Sequence, residues 1–149
     1  MIYTGTFTIE RLYRHAPEKV FRAFADPEAK RAWFAGPKGE WQEGERVHEF
    51  RVGGSDRVSG THKGGMTSLF VSRYHEIVPN TRIVYVYDMH VGGKLISVSL
   101  ATIELEKASG GTRLVLTEQG AFLDGGEPAY RSRKEGTEYL MGALGASLD

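Results

Sequence analysis

Glu118 is the carboxylate best placed for chemistry, because it lies in a strand-type run, LVLTEQ, at residues 114–119. It shares its parity with the apolar Leu114 and Leu116, so its side chain is predicted to point inward. A buried carboxylate needs a hydrogen-bond donor or a bound proton. Glu118 is therefore either a polar anchor or general base on a cavity wall, or a charge near the strand end that pairs with an arginine or reaches water.

A neighbouring strand combines two phenol hydroxyls with apolar side chains on one face. Tyr85, Tyr87 and Met89 alternate in register with Ile83 and Val91. Such a face can orient an organic ligand through a few hydrogen bonds in an otherwise apolar pocket. Tyrosine is also common in strands, so a purely structural role explains the pattern equally well.

The opposite face of that strand carries Asp88 and His90, a spacing that suits a carboxylate–imidazole pair or half of a metal site. The other histidines are scattered and no tight ligand spacing occurs, so we predict no metal site and no cofactor. No glycine-rich phosphate loop and no G-x-S-x-G nucleophile motif is present either, and no catalytic residue is assigned.

Other side chains are candidates for the wall of a cavity. His48 alternates with Phe50 and Val52 in a strand-type run, and Trp33-Phe34 could close one mouth of a pocket or belong to the core. Two leucines of the last helical segment complete the set. The predicted cavity residues are Trp33, Phe34, His48, Phe50, Tyr85, Tyr87, Met89, Glu118, Leu140 and Leu144.

Composition excludes several classes of protein. Its 149 residues suit one domain, 1–149, and 19 basic residues balance 19 acidic ones, so we expect neither nucleic acid nor a membrane surface as a partner. Without cysteine there is no disulfide and no thiolate chemistry. The N-terminus lacks the apolar run of a signal peptide, and no stretch is apolar enough for a membrane span, so we expect a cytoplasmic protein.

The N-terminal part is predicted to form a strand and two short helices. Residues 4–14 alternate polar and apolar side chains, as a half-buried strand does. Proline at an early helical position marks helix starts at Pro17 and Pro27, and Asp26 is the predicted N-cap of the second helix. This helix is expected to continue to Trp33-Phe34, before Gly36-Pro37.

The rest of the chain is predicted to be mainly β-structure until a final helix. Strand-type patterns occur at residues 45–53, at residues 67–78 and in a meander of three strands at residues 82–122. Ser55–Gly65 fits a wide hairpin or a weak strand, and residues 128–148 have the apolar stripe of a helix. Six or seven strands with helices on one side define an α+β domain.

These elements carry a family resemblance. The segments that match are residues 16–24 (APEKVFRAF), Asp26-Pro27-Glu28, Trp33-Phe34, Gly36-Pro37, residues 50–54 (FRVGG) and residues 111–114 (GTRL). Because these segments occur together and in this order, the chain resembles the AHSA-type branch of the START/SRPBCC superfamily. This branch includes homologues of the activator of heat-shock-protein ATPase. The resemblance implies a helix-grip fold, in which a curved antiparallel sheet wraps a long C-terminal helix. It carries no catalytic residues over, since this fold hosts many functions.

Three functions are open at this point. The first is binding of a small, largely apolar or aromatic organic molecule in a cavity between the sheet and the C-terminal helix. The second is acid–base catalysis, as in a cyclase or hydrolase acting on a polyketide-like or aromatic substrate. The third, implied by the resemblance, is a co-chaperone-like interaction with another protein. Exposed sheet edges are also compatible with a homodimer.

Overall fold

The computed structural model describes residues 1–149 as a curved, seven-stranded antiparallel sheet with three helices. The strands are β1 (Tyr3–Tyr13), β2 (Trp41–His48), β3 (Asp56–His62), β4 (Thr67–Val78), β5 (Arg82–Val91), β6 (Lys94–Ala108) and β7 (Gly111–Phe122). Their order in the sheet is β1-β7-β6-β5-β4-β3-β2, so β2 to β7 form a continuous meander and β1 pairs with its last strand. The predicted helix-grip α+β fold is thereby confirmed.

The helices are α1 (Pro17–Ala25), α2 (Pro27–Arg31) and α3 (Gly126–Leu148). Proline lies in the first turn of α1 and of α2, where its missing N–H costs no hydrogen bond. The Asp26 carboxylate accepts a hydrogen bond from Ala29 N at 2.9 Å, as predicted for an N-cap. None of the three helices combines the length and the apolar character that a membrane crossing requires.

The core lies where the inner face of the sheet meets α1 and α3. Sixteen buried residues form it, and Leu144 of α3 is 0% exposed within this cluster. Tyr13 of β1 donates a hydrogen bond of 2.7 Å to the carbonyl of Met141, which attaches α3 to the sheet. Packing at this end leaves the other half of α3 to face β5 and β7 across an open space.

The second strand differs from the sequence prediction. It covers Trp41–His48, with a β-bulge between Glu43 and Arg46, instead of residues 45–53. Residues 49–54 form a turn, in which Gly54 N donates to Arg51 O at 2.7 Å, and Val52 is 60% exposed. The prediction that Val52 faces inward is therefore wrong, because the alternation of polar and apolar residues continues in the sequence beyond the last residue that pairs with a neighbouring strand.

Two other boundaries were predicted differently. Helix α2 ends at Arg31, and the Trp33 and Phe34 amides both donate to the Lys30 carbonyl in a tight closing turn. Residues 55–65 contain the regular strand β3, although their polar, glycine-rich composition gave only a weak strand signal.

Candidate ligand-binding cavity

A cavity of about 480 Å³ lies between the inner face of the sheet and the part of α3 that runs from Ala129 to Met141. Strands β3 to β7 form one wall, α3 forms the opposite wall, and the segment following α2 closes one end. Sixteen of the 25 lining residues are hydrophobic. The volume falls in the range of roughly 300–1,000 Å³ that is usual for small-molecule sites.

Aromatic rings form the end of the cavity near α2. Phe34 packs edge-on against Phe70 at a centroid distance of 4.9 Å, and Phe70 packs on Tyr87 at 4.8 Å. Trp33 donates its indole N–H to the Ala23 carbonyl at 2.8 Å. With this polar atom satisfied, the ring presents only apolar surface to its surroundings.

Trp41 of β2 forms the neighbouring part of the wall by lying across Gly60 of β3. A Cβ atom added at Gly60 would stand 2.0 Å from Trp41 Nε1, closer than any real contact. The glycine is thus required for a close approach between strand and indole ring, not for its backbone freedom.

Hydrogen-bonded polar side chains lie in the cavity wall on the side of α3. Glu118 is only 3% exposed and accepts a hydrogen bond from the Tyr87 hydroxyl. Arg133 of α3 donates to Tyr87 Oη at 3.1 Å and to Ser97 Oγ at 2.8 Å. Burial raises the pKa of Glu118, although the Tyr87 hydrogen bond and the charge of Arg133 oppose that rise.

A second buried polar cluster lies at the α2 end. Asp56 is 1% exposed, and its Oδ2 accepts hydrogen bonds from Lys30 Nζ and from the Tyr74 hydroxyl, the latter at 2.8 Å. His48 Nδ1 lies 2.6 Å from Asp56 Oδ1. Burial alone would raise the pKa of Asp56, but the His48 hydrogen bond and the charge of Lys30 lower it to about 2. This carboxyl is ionised at neutral pH.

The structure brings together most of the residues predicted from the sequence. The predicted residues that line the cavity are Trp33, Phe34, Tyr85, Tyr87, Met89, Glu118 and Leu140. Of the two interpretations of Glu118, the interior position on a cavity wall is the one observed. The alternation of side chains along the strand was therefore enough to place Glu118 in the cavity wall.

Three predicted cavity residues do not line it. His48 turns to Asp56 and to the Ala25 carbonyl, 3.0 Å from Nε2. Phe50 lies outside any strand and packs against Phe21 at a centroid distance of 5.6 Å. Leu144 is buried in the main core. Their predicted faces depended on a longer β2 and on an undivided apolar stripe along α3, and neither exists.

Asp88 and His90 do not form the predicted type of pair. His90 Nδ1 is buried without a hydrogen-bond partner, so it does not contact the Asp88 carboxylate. No group of three or more potential metal ligands converges anywhere in the chain. The outer face of the sheet therefore offers no cation site built from these two residues.

Sequence reasoning missed Lys30, Asp56 and Arg133. A lysine in a five-residue helix is usually solvated, and Asp56 begins a strand that was only weakly predicted. Arg133 falls outside the apolar stripe of α3, and no residue type around it in the sequence marks it as part of a cavity wall. The only available signal was the inward parity of Asp56 with Val58, which becomes visible once β3 is recognised.

Fold and cavity together define a helix-grip protein, with an antiparallel sheet curved around a C-terminal helix. The chain belongs to the family described as "Activator of Hsp90 ATPase homolog 1-like protein", which matches residues 14–149. The resemblance to the AHSA branch of the START/SRPBCC superfamily is thus confirmed.

Several solved structures are similar to this chain. An uncharacterized protein from Rhizobium leguminosarum is 40% identical, with 99% of this chain and 96% of that chain covered and a TM-score of 0.93. The Mll3558 protein from Rhizobium loti is 41% identical, with 99% of both chains covered and a TM-score of 0.89. An AHSA1-like protein from Aeromonas hydrophila is 19% identical over 97% of this chain and 92% of that chain, with a TM-score of 0.73, and shows the same fold. No curated protein matches the sequence.

Proposed function

We propose that this protein binds a small, largely apolar organic molecule in the cavity between the sheet and α3. The observation that carries the proposal is the cavity of about 480 Å³, whose walls are mainly hydrophobic and aromatic. Apolar surface drives binding, and a few fixed polar groups orient the ligand. The Glu118–Tyr87–Arg133 group supplies such fixed polar atoms, because each side chain is already held by another.

Native mass spectrometry of the purified protein tests for a co-purified ligand. A stoichiometric extra mass that is lost on denaturation would support binding and provide the compound for identification. The neutral fluorescent dye N-phenyl-1-naphthylamine supplies a second readout, since its emission rises in apolar surroundings. A bare folded mass combined with no dye binding would overturn the proposal.

A pair of glycine variants on α3 shows whether the dye occupies this cavity. Gly136 lines the cavity, and a Cβ added there would meet no atom within 4 Å, so Gly136→Trp fills open space without a backbone clash. Gly142 has the same freedom but does not line the cavity, which makes Gly142→Trp the matched control. We expect dye binding to be lost in Gly136→Trp and kept in Gly142→Trp. Equal binding by both variants would contradict the proposed location.

Acid–base catalysis on a bound polyketide-like or aromatic molecule is a second candidate, favoured by Glu118. Burial raises the pKa of this carboxyl, and a buried acid beside a phenol suits proton transfer to or from a bound molecule. Once a ligand is identified, Glu118→Gln is expected to abolish its turnover while leaving its affinity within a few-fold. Unchanged turnover would exclude Glu118 as the acid or base.

A further inference from the structure

The α2 end of the cavity holds the side chains of Lys30 and His48 against a single carboxylate, that of Asp56. Lys30 is 7% exposed and Asp56 is 1% exposed, so water screens neither charge. Lys30 Nζ donates to Asp56 Oδ2, and His48 Nδ1 lies within hydrogen-bond distance of Asp56 Oδ1. Lys30 and His48 thus share one carboxylate.

The hydrogen-bond partners of His48 fix the position of its ring. Nδ1 faces the Asp56 carboxylate at 2.6 Å, and Nε2 faces the Ala25 carbonyl at 3.0 Å. His48 therefore occupies Asp56 Oδ1, while Lys30 and the Tyr74 hydroxyl occupy Asp56 Oδ2. Both carboxylate oxygens of Asp56 are thus already engaged within the cluster.

Lys30 is the member of this cluster that reaches the cavity. It lines the wall, whereas Asp56 and His48 do not, and its Nζ lies 4.8 Å from the centroid of the Phe34 ring. An ammonium group has three donors. Asp56 and the Tyr74 hydroxyl, at 3.2 Å, take two of them, which leaves the third without a hydrogen-bond acceptor in the protein.

The other charged groups of the wall lie on the α3 side. Arg133 is a second cation there, but an anion beside it would also face Glu118. Near Lys30 the only carboxylate within hydrogen-bond distance is Asp56, whose oxygens already accept three hydrogen bonds. Burial lowers the pKa of Lys30 and the charge of Arg46, itself paired with Glu43, adds to that fall, whereas the Asp56 carboxylate opposes it. An incoming anion thus meets less repulsion at Lys30 than at Arg133.

We propose that Lys30 forms an anion-binding subsite and that the ligand of the cavity is an amphipathic organic acid. The carboxylate of the ligand accepts a hydrogen bond from the free N–H of Lys30, and the apolar part of the ligand lies among Phe34, Phe70 and the tyrosines of β5. This inference rests on the proposed function, because it names the chemical class of the ligand in the same cavity.

Decanoate and 1-decanol test the inference, since they share an apolar chain and differ in charge. The affinity of each compound is measured by titrating it against the complex of the wild-type protein with N-phenyl-1-naphthylamine at pH 7 and following displacement of the dye. We expect decanoate to bind about 10- to 100-fold more tightly than decanol, as a charge-assisted hydrogen bond provides. Equal affinities would overturn the inference but leave the proposed function standing, whereas binding of neither probe would overturn both.

Lys30→Met locates the subsite, because methionine keeps the apolar stem and removes the charge. The preference for decanoate is expected to disappear in Lys30→Met and to persist in Lys38→Met, an exposed lysine outside the cavity. Loss of the preference in Arg133→Met, with Lys30→Met unaffected, would overturn the assignment to Lys30.

A measurement on the wild-type protein covers the case in which Lys30→Met does not fold. The carboxyl carbon of ¹³C-labelled decanoate reports its own ionisation by its chemical shift. Beside a buried ammonium the bound acid is expected to stay ionised below the pKa of the free acid. A bound acid that takes up a proton above that pKa would instead lie in an apolar site, and the inference would fail.

Discussion

Replacing Asp56 with asparagine tests the physical basis of the buried cluster directly. The substitution keeps the shape of the side chain but removes the one negative charge that Lys30 and His48 share. Lys30 and His48 would both remain nearly enclosed, since their side chains are 9% and 8% exposed, and the charge of Lys30 would lose its only counter-charge. We therefore expect Asp56→Asn to be among the most destabilising polar substitutions in this chain.

The size of the effect follows from two independent considerations. Removing one partner of a buried ion pair costs about 3–5 kcal/mol, because it leaves an uncompensated charge. The pKa of Asp56 falls from 3.8 to about 2 in the folded state, and a shift of this size corresponds to about 2.5 kcal/mol of the free energy of unfolding. The second quantity is the part that depends on pH.

The sign of that dependence is fixed by the direction of the shift. Because the folded-state pKa lies below the unfolded one, the unfolded chain takes up the proton first as the pH falls. The stabilisation is complete above about pH 4 and is lost progressively towards about pH 2. Asparagine has no such proton, so the difference between wild type and Asp56→Asn must narrow over this interval.

Urea denaturation followed by circular dichroism, in steps from pH 7 down to the lowest pH at which the wild type folds, measures this difference. Glu45→Gln is the matched control, because its ion pair with Arg57 is about half exposed on both sides and contributes at most about 1 kcal/mol. A cost below about 1 kcal/mol for Asp56→Asn at pH 7, or a difference that stays constant with pH, would refute the account of the cluster.

Three further predictions concern the core, the polar group and the wall of the cavity. Leu144→Ala is expected to lower the free energy of unfolding by about 2–5 kcal/mol in urea, since Leu144 is 0% exposed; a loss below about 1 kcal/mol would contradict its core position. Burial raises the pKa of Glu118, so its contribution to the free energy of unfolding is greatest below its unfolded-state pKa and falls as the pH rises through the folded-state pKa. Glu118→Gln should therefore reduce the decline of the free energy of unfolding between about pH 4 and 8. An unchanged dependence on pH would argue against burial of this carboxyl. Gly60→Ala places a Cβ 2.0 Å from Trp41 Nε1 and must displace the indole ring. We therefore expect a shift in tryptophan emission and weaker dye binding. Unchanged values of both would contradict the close contact between Gly60 and Trp41.

The meander was predictable because its determinants are local. Gly92-Gly93 and Gly110 have positive φ angles of 59°, 80° and 78°, which glycine adopts without strain, and they separate strands with clear alternation. The same alternation placed Tyr87 and Glu118 on the inner face of the sheet. Local turn chemistry and a period of two residues therefore suffice for this half of the cavity.

The α2 end was not predictable, because its determinants are distant in sequence. The β-bulge after Glu43 changes the parity of β2, and no residue type in that segment marks it. Lys30 is buried only because Asp56, 26 residues later, and Tyr74, 44 residues later, meet it in the folded chain. Pattern analysis assigns an isolated lysine to the surface, and only tertiary contacts can reverse that assignment.

The position of the buried charges points to binding as the reason for keeping them. Well-packed apolar side chains in place of a buried ion pair are often neutral or stabilising, so stability alone does not require this cluster. Lys30, Asp56 and His48 come from α2, β3 and β2, and their bonds hold the ammonium in one place on the cavity wall. A donor fixed in advance loses little conformational entropy when a ligand arrives. The placement of Lys30 on the cavity wall, more than stability, therefore accounts for the cluster.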